Sequence, residues 1–179
     1  MVVSVLFSTC NVHAITFSEN TSAEASCSYI KTCKMIAIAG YKPYKKTDIG
    51  GHLVCAWTRE KYSHVELIID TDLDLSKPKQ SYSSSIRDGG VRTKPILFNE
   101  HWDVFPLEAD EKYALSVFNG FAGQPYGWLD LIAQHVLRLP VRNGSIVCSE
   151  LALLMLGVDE SIANSLNPGQ AMRYFKGKL

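Results

Sequence analysis

The first apolar run with a clear geometric consequence is Met35-Ile36-Ala37-Ile38-Ala39, which reads as a strand stopped by Gly40. Asp48 then caps a predicted helix over residues 49–59, in which Leu53, Val54 and Trp57 share one face. Tyr62 to Ile69 is rich in β-branched and apolar residues and predicts a second strand. Its alternation sends Val65, Leu67 and Ile69 to one face, and His64, Glu66 and Ile68 to the other. A polar loop from Asp70 to Lys79, carrying Pro78, leads into a strand over 81–86 that pairs with it. Asp88-Gly89-Gly90 turns the chain into a third strand over 91–97, and 102–107 reads as a further short one, ended by Pro106.

Helical periods dominate after residue 110. Tyr113, Val117 and Phe121 fall at helical spacing over 110–121, and Leu129, Ile132, Ala133 and Val136 form a stripe over 126–139 that stops at Pro140. After Asn143-Gly144, Ser145 or Val147 opens a strongly apolar helix from Cys148 to Leu156, closed by Gly157. A short amphipathic helix over 168–175 completes the pattern. Strands followed by helices predict an α+β domain over 35–179, preceded by an extension over 1–34 of unclear role.

Composition narrows the class. At 179 residues, with 46% hydrophobic and 20% charged, the chain fits one ordinary globular domain. Eighteen basic residues balance eighteen acidic ones, so overall charge gives no reason to expect a nucleic-acid partner. No apolar run reaches the roughly 20 residues of a membrane-spanning helix. The five cysteines (Cys10, Cys27, Cys33, Cys55, Cys148) include no CxxC pair, so no structural metal is expected, and their odd number favours free thiols. The start, Met1-Val-Val-Ser-Val-Leu-Phe, lacks a preceding Lys or Arg and makes a poor secretory signal; export is not expected.

Two residues carry candidate chemistry. Cys148 falls at the N-terminus of its apolar helix, where free backbone N–H groups and the positive end of the helix dipole stabilise a thiolate and offer part of an oxyanion hole. A small buried core cysteine fits the same position. His64 opens a strand, where a structural role is also common, yet a cysteine nucleophile needs an imidazole within hydrogen-bond reach. His13, His52, His101 and His135 are the competitors, and helical positions disfavour His52 and His135.

The segments Tyr62-Ser63-His64-Val65-Glu66-Leu67, Asp88-Gly89-Gly90-Val91-Arg92, His101-Trp102-Asp103, Tyr126-Gly127-Trp128 and Val147-Cys148-Ser149-Glu150 occur in an order that resembles the circularly permuted papain-like cysteine hydrolases. These form the YiiX-like branch of the NlpC superfamily, and small phage and prophage members look closest. The resemblance covers roughly residues 35–175. It implies a permuted papain-like fold, a small antiparallel sheet packed against helices, with the histidine strand preceding the cysteine helix. It further implies Cys148 as nucleophile, His64 as base, no cofactor, and a peptide, peptidoglycan or acyl substrate cleaved through an acyl-enzyme. A cytoplasmic or virion-associated setting goes with it.

For the third catalytic group, relatives often use Glu, His, Asn or Gln on the strand after the histidine, where this chain has Tyr82-Ser83-Ser84-Ser85. Ser83 and Ser85 share a face, so either hydroxyl is a candidate to orient the imidazole; Glu66 is held in reserve, and Asp88 is a more distant option. Trp102, Tyr126 and Trp128 read as core before cleft wall, Trp57 as a cleft-entrance residue, and Ser149 and Glu150 as first-turn caps. A catalytically weak or inactive phage-derived structural or binding protein of the same fold is the alternative function.

Overall fold

In the computed structural model the described residues are 35–127 and 145–177. The expectations for the extension over 1–34, for most of the helix over 126–139 and for Trp128 lie outside them. Five antiparallel strands form one sheet in the order β4-β3-β2-β1-β5. They are β1 (Met35–Tyr41), β2 (His64–Asp70), β3 (Lys79–Ser85), β4 (Gly90–Ile96) and β5 (Trp102–Leu107). The α+β class therefore holds, and each predicted strand is present within a few residues of its expected limits.

Alternation along β2 sorts the two faces as read from the sequence. Val65, Leu67 and Ile69 join Ile36 and Ile38 in the main core. Ile68 joins Ala37, Ala39 and Phe98 in a smaller cluster on the other face. Helices cover the main face: α2 (Glu111–Phe121), α3 (Cys148–Met155), the single turn α4 (Glu160–Ala163) and α5 (Pro168–Lys176). Leu151, Leu153 and Met155 of α3 are fully buried, and α3 packs on β2, β3, α2, α4 and α5. Burial of each such side chain contributes about 1.5–3 kcal/mol, so α3 is anchored by its apolar length and its N-terminus is held firmly. Gly40 lets α5 approach β1, since a Cβ there would stand 2.7 Å from the Tyr62 ring and 2.9 Å from Met172.

Helix α1 (Ile49–Thr58) forms within one residue of its expected limits. Asp48 does cap it, accepting from the Gly51 N–H at 3.2 Å. Yet the helix buries no residue: Ile49, Leu53 and Trp57 are exposed, whereas Val54 faces the cleft described below. Two glycines in its first turn and polar anchors at its ends, Asp48 to Arg87 and the following Glu60 to Arg173, hold it at the surface instead.

Candidate active site

Strands β2 and β3 start the site by parting. β1 and β2 pair along their whole length, but β2 and β3 share only Leu67 opposite Tyr82 and Ile68 opposite Ser81. Continuing that register would set Val65 opposite Ser84. Instead, the Ser84 hydroxyl donates to the Ile146 carbonyl at 2.7 Å and the Ser83 hydroxyl donates to the Val65 carbonyl at 2.6 Å. The segment leading into α3 thus occupies the gap, and the Val65 N–H, released from the ladder, hydrogen-bonds the Cys148 sulfur. A backbone donor freed by a strand opening is satisfied here by a thiolate.

Cys148 is the first residue of α3, with Val147 as N-cap making no side-chain cap hydrogen bond. The first-turn role read for Ser149 is not realised, because its hydroxyl is buried without a hydrogen-bond partner. His64 opens β2 beside the sulfur and hydrogen-bonds it. Its Nε2 lies 2.9 Å from Glu66 Oε1, which leaves Nδ1 for Cys148. Glu66 is two residues along the same strand and therefore on the same face as His64.

The structure thereby corrects the order of the orienting candidates. Ser83, read first, directs its hydroxyl to the Val65 carbonyl. Ser85, its equal in that reading, lines the cleft at the end of β3. Glu66, the reserve, is the side chain that meets the imidazole. Asp88 stands one step further out: Arg92 donates to Glu66 at 2.7 and 2.5 Å through its two terminal nitrogens and to Asp88 through Nε at 2.7 Å. Lys94 donates to Asp88 as well, at 2.7 Å.

These contacts fix the ionisation of the pair. For Cys148, burial alone would push the thiol up; the charge and hydrogen bond of His64 and the Val65 N–H outweigh it and bring the thiol below its ordinary value. For His64, burial opposes protonation, but the Cys148 thiolate and then Glu66 raise the imidazole to about 10. Burial would raise Glu66 too, yet its hydrogen bonds to Arg92 and His64 hold it down at about 2. These shifts all act in the direction of a thiolate, an imidazolium and a carboxylate.

Tyr126, read as core, is a member of this site. Burial and then the neighbouring Cys148 sulfur push its phenol well above the ordinary value, so its hydroxyl remains a donor directed at the sulfur. Gly90 makes that placement feasible. Its φ is +143°, and a Cβ there would stand 2.0 Å from the Gln124 carbonyl oxygen, so only glycine admits the 123–126 loop against β4. The loop is then fixed by Val91 N–H to Gln124 O at 2.8 Å, and Tyr126 bridges to Ile146 just before α3. A conformationally special Gly-Gly pair ahead of a strand is the sequence signal for such a close approach. Arg92 also had a signal, because an acid alternating onto an inward strand position requires a cation.

A cleft of about 730 Å³ opens onto His64, Glu66, Arg92 and Tyr126 and extends past Val54 toward Tyr41, Tyr44 and Trp102. Trp102 is therefore a cleft wall as well as a packing residue, its ring 5.0 Å from those of Tyr41 and Phe98. His52 contacts the Lys45 carbonyl and His101 stacks on Tyr44, so neither competes with His64. Among the described residues no cluster of His, Cys, Asp and Glu is arranged to hold a metal, and no helix is long and apolar enough to cross a membrane. No family model, curated protein or solved structure matches the chain.

Proposed function

We propose that the protein is a cysteine hydrolase of permuted papain-like fold that cleaves an amide or thioester bond through an acyl-enzyme on Cys148. The observation that carries this reading is the hydrogen-bonded sequence Cys148, His64, Glu66, with the cysteine at a helix N-terminus and its thiol pKa lowered. In the first step Cys148 Sγ bonds to the substrate carbonyl carbon, and the imidazolium of His64 gives its proton to the departing amine nitrogen or thiolate sulfur. In the second, His64 takes a proton from water, the hydroxide displaces the sulfur, and the carboxylic acid leaves. Glu66 holds the ring and favours its charged form. The backbone N–H groups at the start of α3 and the Tyr126 hydroxyl supply donors for the oxyanion. Peptide, peptidoglycan or acyl groups are the substrate classes, and the steps require no cofactor.

One observation favours a second reading, a binding or structural protein that keeps the fold without turnover. Cys148 is only 1% exposed, and a nucleophile must be reached. Intact-mass analysis with p-nitrophenyl acetate separates the two. The hydrolase reading expects a nitrophenolate burst and a single acetyl group on Cys148, absent in Cys148→Ala and His64→Ala. Equal acetylation of the wild type and Cys148→Ala would instead support the binding protein.

A further inference from the structure

Six groups of alternating charge run outward from the sulfur: Cys148, His64, Glu66, Arg92, Asp88 and Lys94. The alternation is not ornamental, because its inner members are enclosed. The Glu66 side chain is 1% exposed and that of Arg92 13%, against 43% for Lys94 at the outer end. A thiolate, an imidazolium and a carboxylate together carry one net negative charge in a poorly solvated space, which favours uptake of a proton. Adding the Arg92 guanidinium brings that inner set to neutrality. Its geometry suits the task, since a planar fork meets both carboxylate oxygens and thereby fixes the plane of Glu66 and the oxygen offered to His64.

We propose that Arg92 is a positioning residue that sets the ionisation of the Cys148–His64 pair by acting through Glu66, with Asp88 holding the guanidinium in register. This rests on the hydrolase reading given above. Arg92 touches neither the sulfur nor the imidazole in the hydrogen bonds described; its influence passes through the carboxylate. Around it, Glu66 comes from β2, Asp88 from the turn before β4 and Lys94 from β4 itself; around the sulfur stand His64, Glu66 and Tyr126. Removing the guanidinium weakens the thiolate by either available route. If Glu66 stays ionised, the extra negative charge draws a proton to the sulfur; if Glu66 takes the proton, His64 loses its anionic partner. Both raise the pH at which the thiolate forms.

The test is the pH dependence of Cys148 alkylation by iodoacetamide, read by mass spectrometry, in full-length wild type, Arg92→Lys, Arg92→Gln, Glu66→Gln and the double variant. Arg92→Gln is expected to raise the midpoint by about one unit, a tenfold loss of rate below it. Arg92→Lys, which keeps charge but loses the fork, falls between Arg92→Gln and the wild type. Because Arg92 acts through Glu66, the double variant should titrate no higher than Glu66→Gln alone. Asp88→Asn, which leaves the inner groups in place and removes one outer negative charge, should shift the midpoint less than Arg92→Gln does. Circular dichroism at each pH restricts the comparison to folded protein, and Arg92→Lys carries the test if Arg92→Gln does not fold. An unchanged midpoint in the folded Arg92 variants, or additive shifts in the double variant, would overturn the inference while leaving the hydrolase reading intact. A wild-type Cys148 that never reacts below pH 8 would overturn the hydrolase reading itself.

Discussion

Glu66 illustrates how one side chain links stability to chemistry. Its carboxylate is almost wholly withdrawn from water, a placement that carries a desolvation cost unless every oxygen is engaged, and here His64 and Arg92 engage both. Since its pKa falls from 4.5 to about 2 on folding, its contribution to stability is complete above pH 4.5 and is lost as pH falls toward 2. Melting temperature measured from pH 6 to 2 should therefore drop more steeply for wild type than for Glu66→Gln, and parallel curves would refute the assignment. Ser83 provides the contrast. Ser83→Ala removes a buried hydrogen bond to Val65 and should cost about 1–2 kcal/mol in denaturant unfolding. It should leave the Cys148 alkylation midpoint where it was, whereas Glu66→Gln should raise it.

At the scale of elements, the parting of β2 from β3 and the contact of both with the start of α3 make the site. Leu151→Ala, in the fully buried middle of α3, should destabilise the protein by about 2–5 kcal/mol. Leu53→Glu on the exposed face of α1 should stay within about 0.5 kcal/mol of wild type. A cost above 2 kcal/mol for Leu53→Glu would mean that α1 packs more tightly than its exposure indicates. This difference marks where the sequence was readable. The α3 helix was visible because every position from Leu151 to Leu154 is apolar, and β2 because its alternation matches a two-faced sheet. For helix α1 the spacing of Leu53 and Trp57 says that they share a face, not which way that face turns. The serine run misled for a related reason. Alternation assigns faces along an unbroken ladder, but the ladder stops at Leu67, and beyond it hydroxyls turn to carbonyls the opening has exposed.

The whole molecule brings together groups that the chain holds far apart: His64 and Glu66 from β2, Arg92 from β4, Tyr126 from the loop fixed by Gly90, and Cys148 from α3. None of these partners is local to the sulfur, so its acidity is a property of the fold and disappears with it. The most direct test is to label all five thiols with limiting iodoacetamide at pH 6, in the native protein and again in denaturant, and compare their rates by mass-spectrometric mapping. In the native protein Cys148 should react at least tenfold faster than Cys55, whose thiol burial raises above its ordinary value, and its rate profile should lie at lower pH than that of the denatured chain. In denaturant all five should react alike, each rising about tenfold per pH unit toward 8.5. A native Cys148 that follows the denatured curve, or lags behind Cys55, would contradict the thiolate on which the account depends.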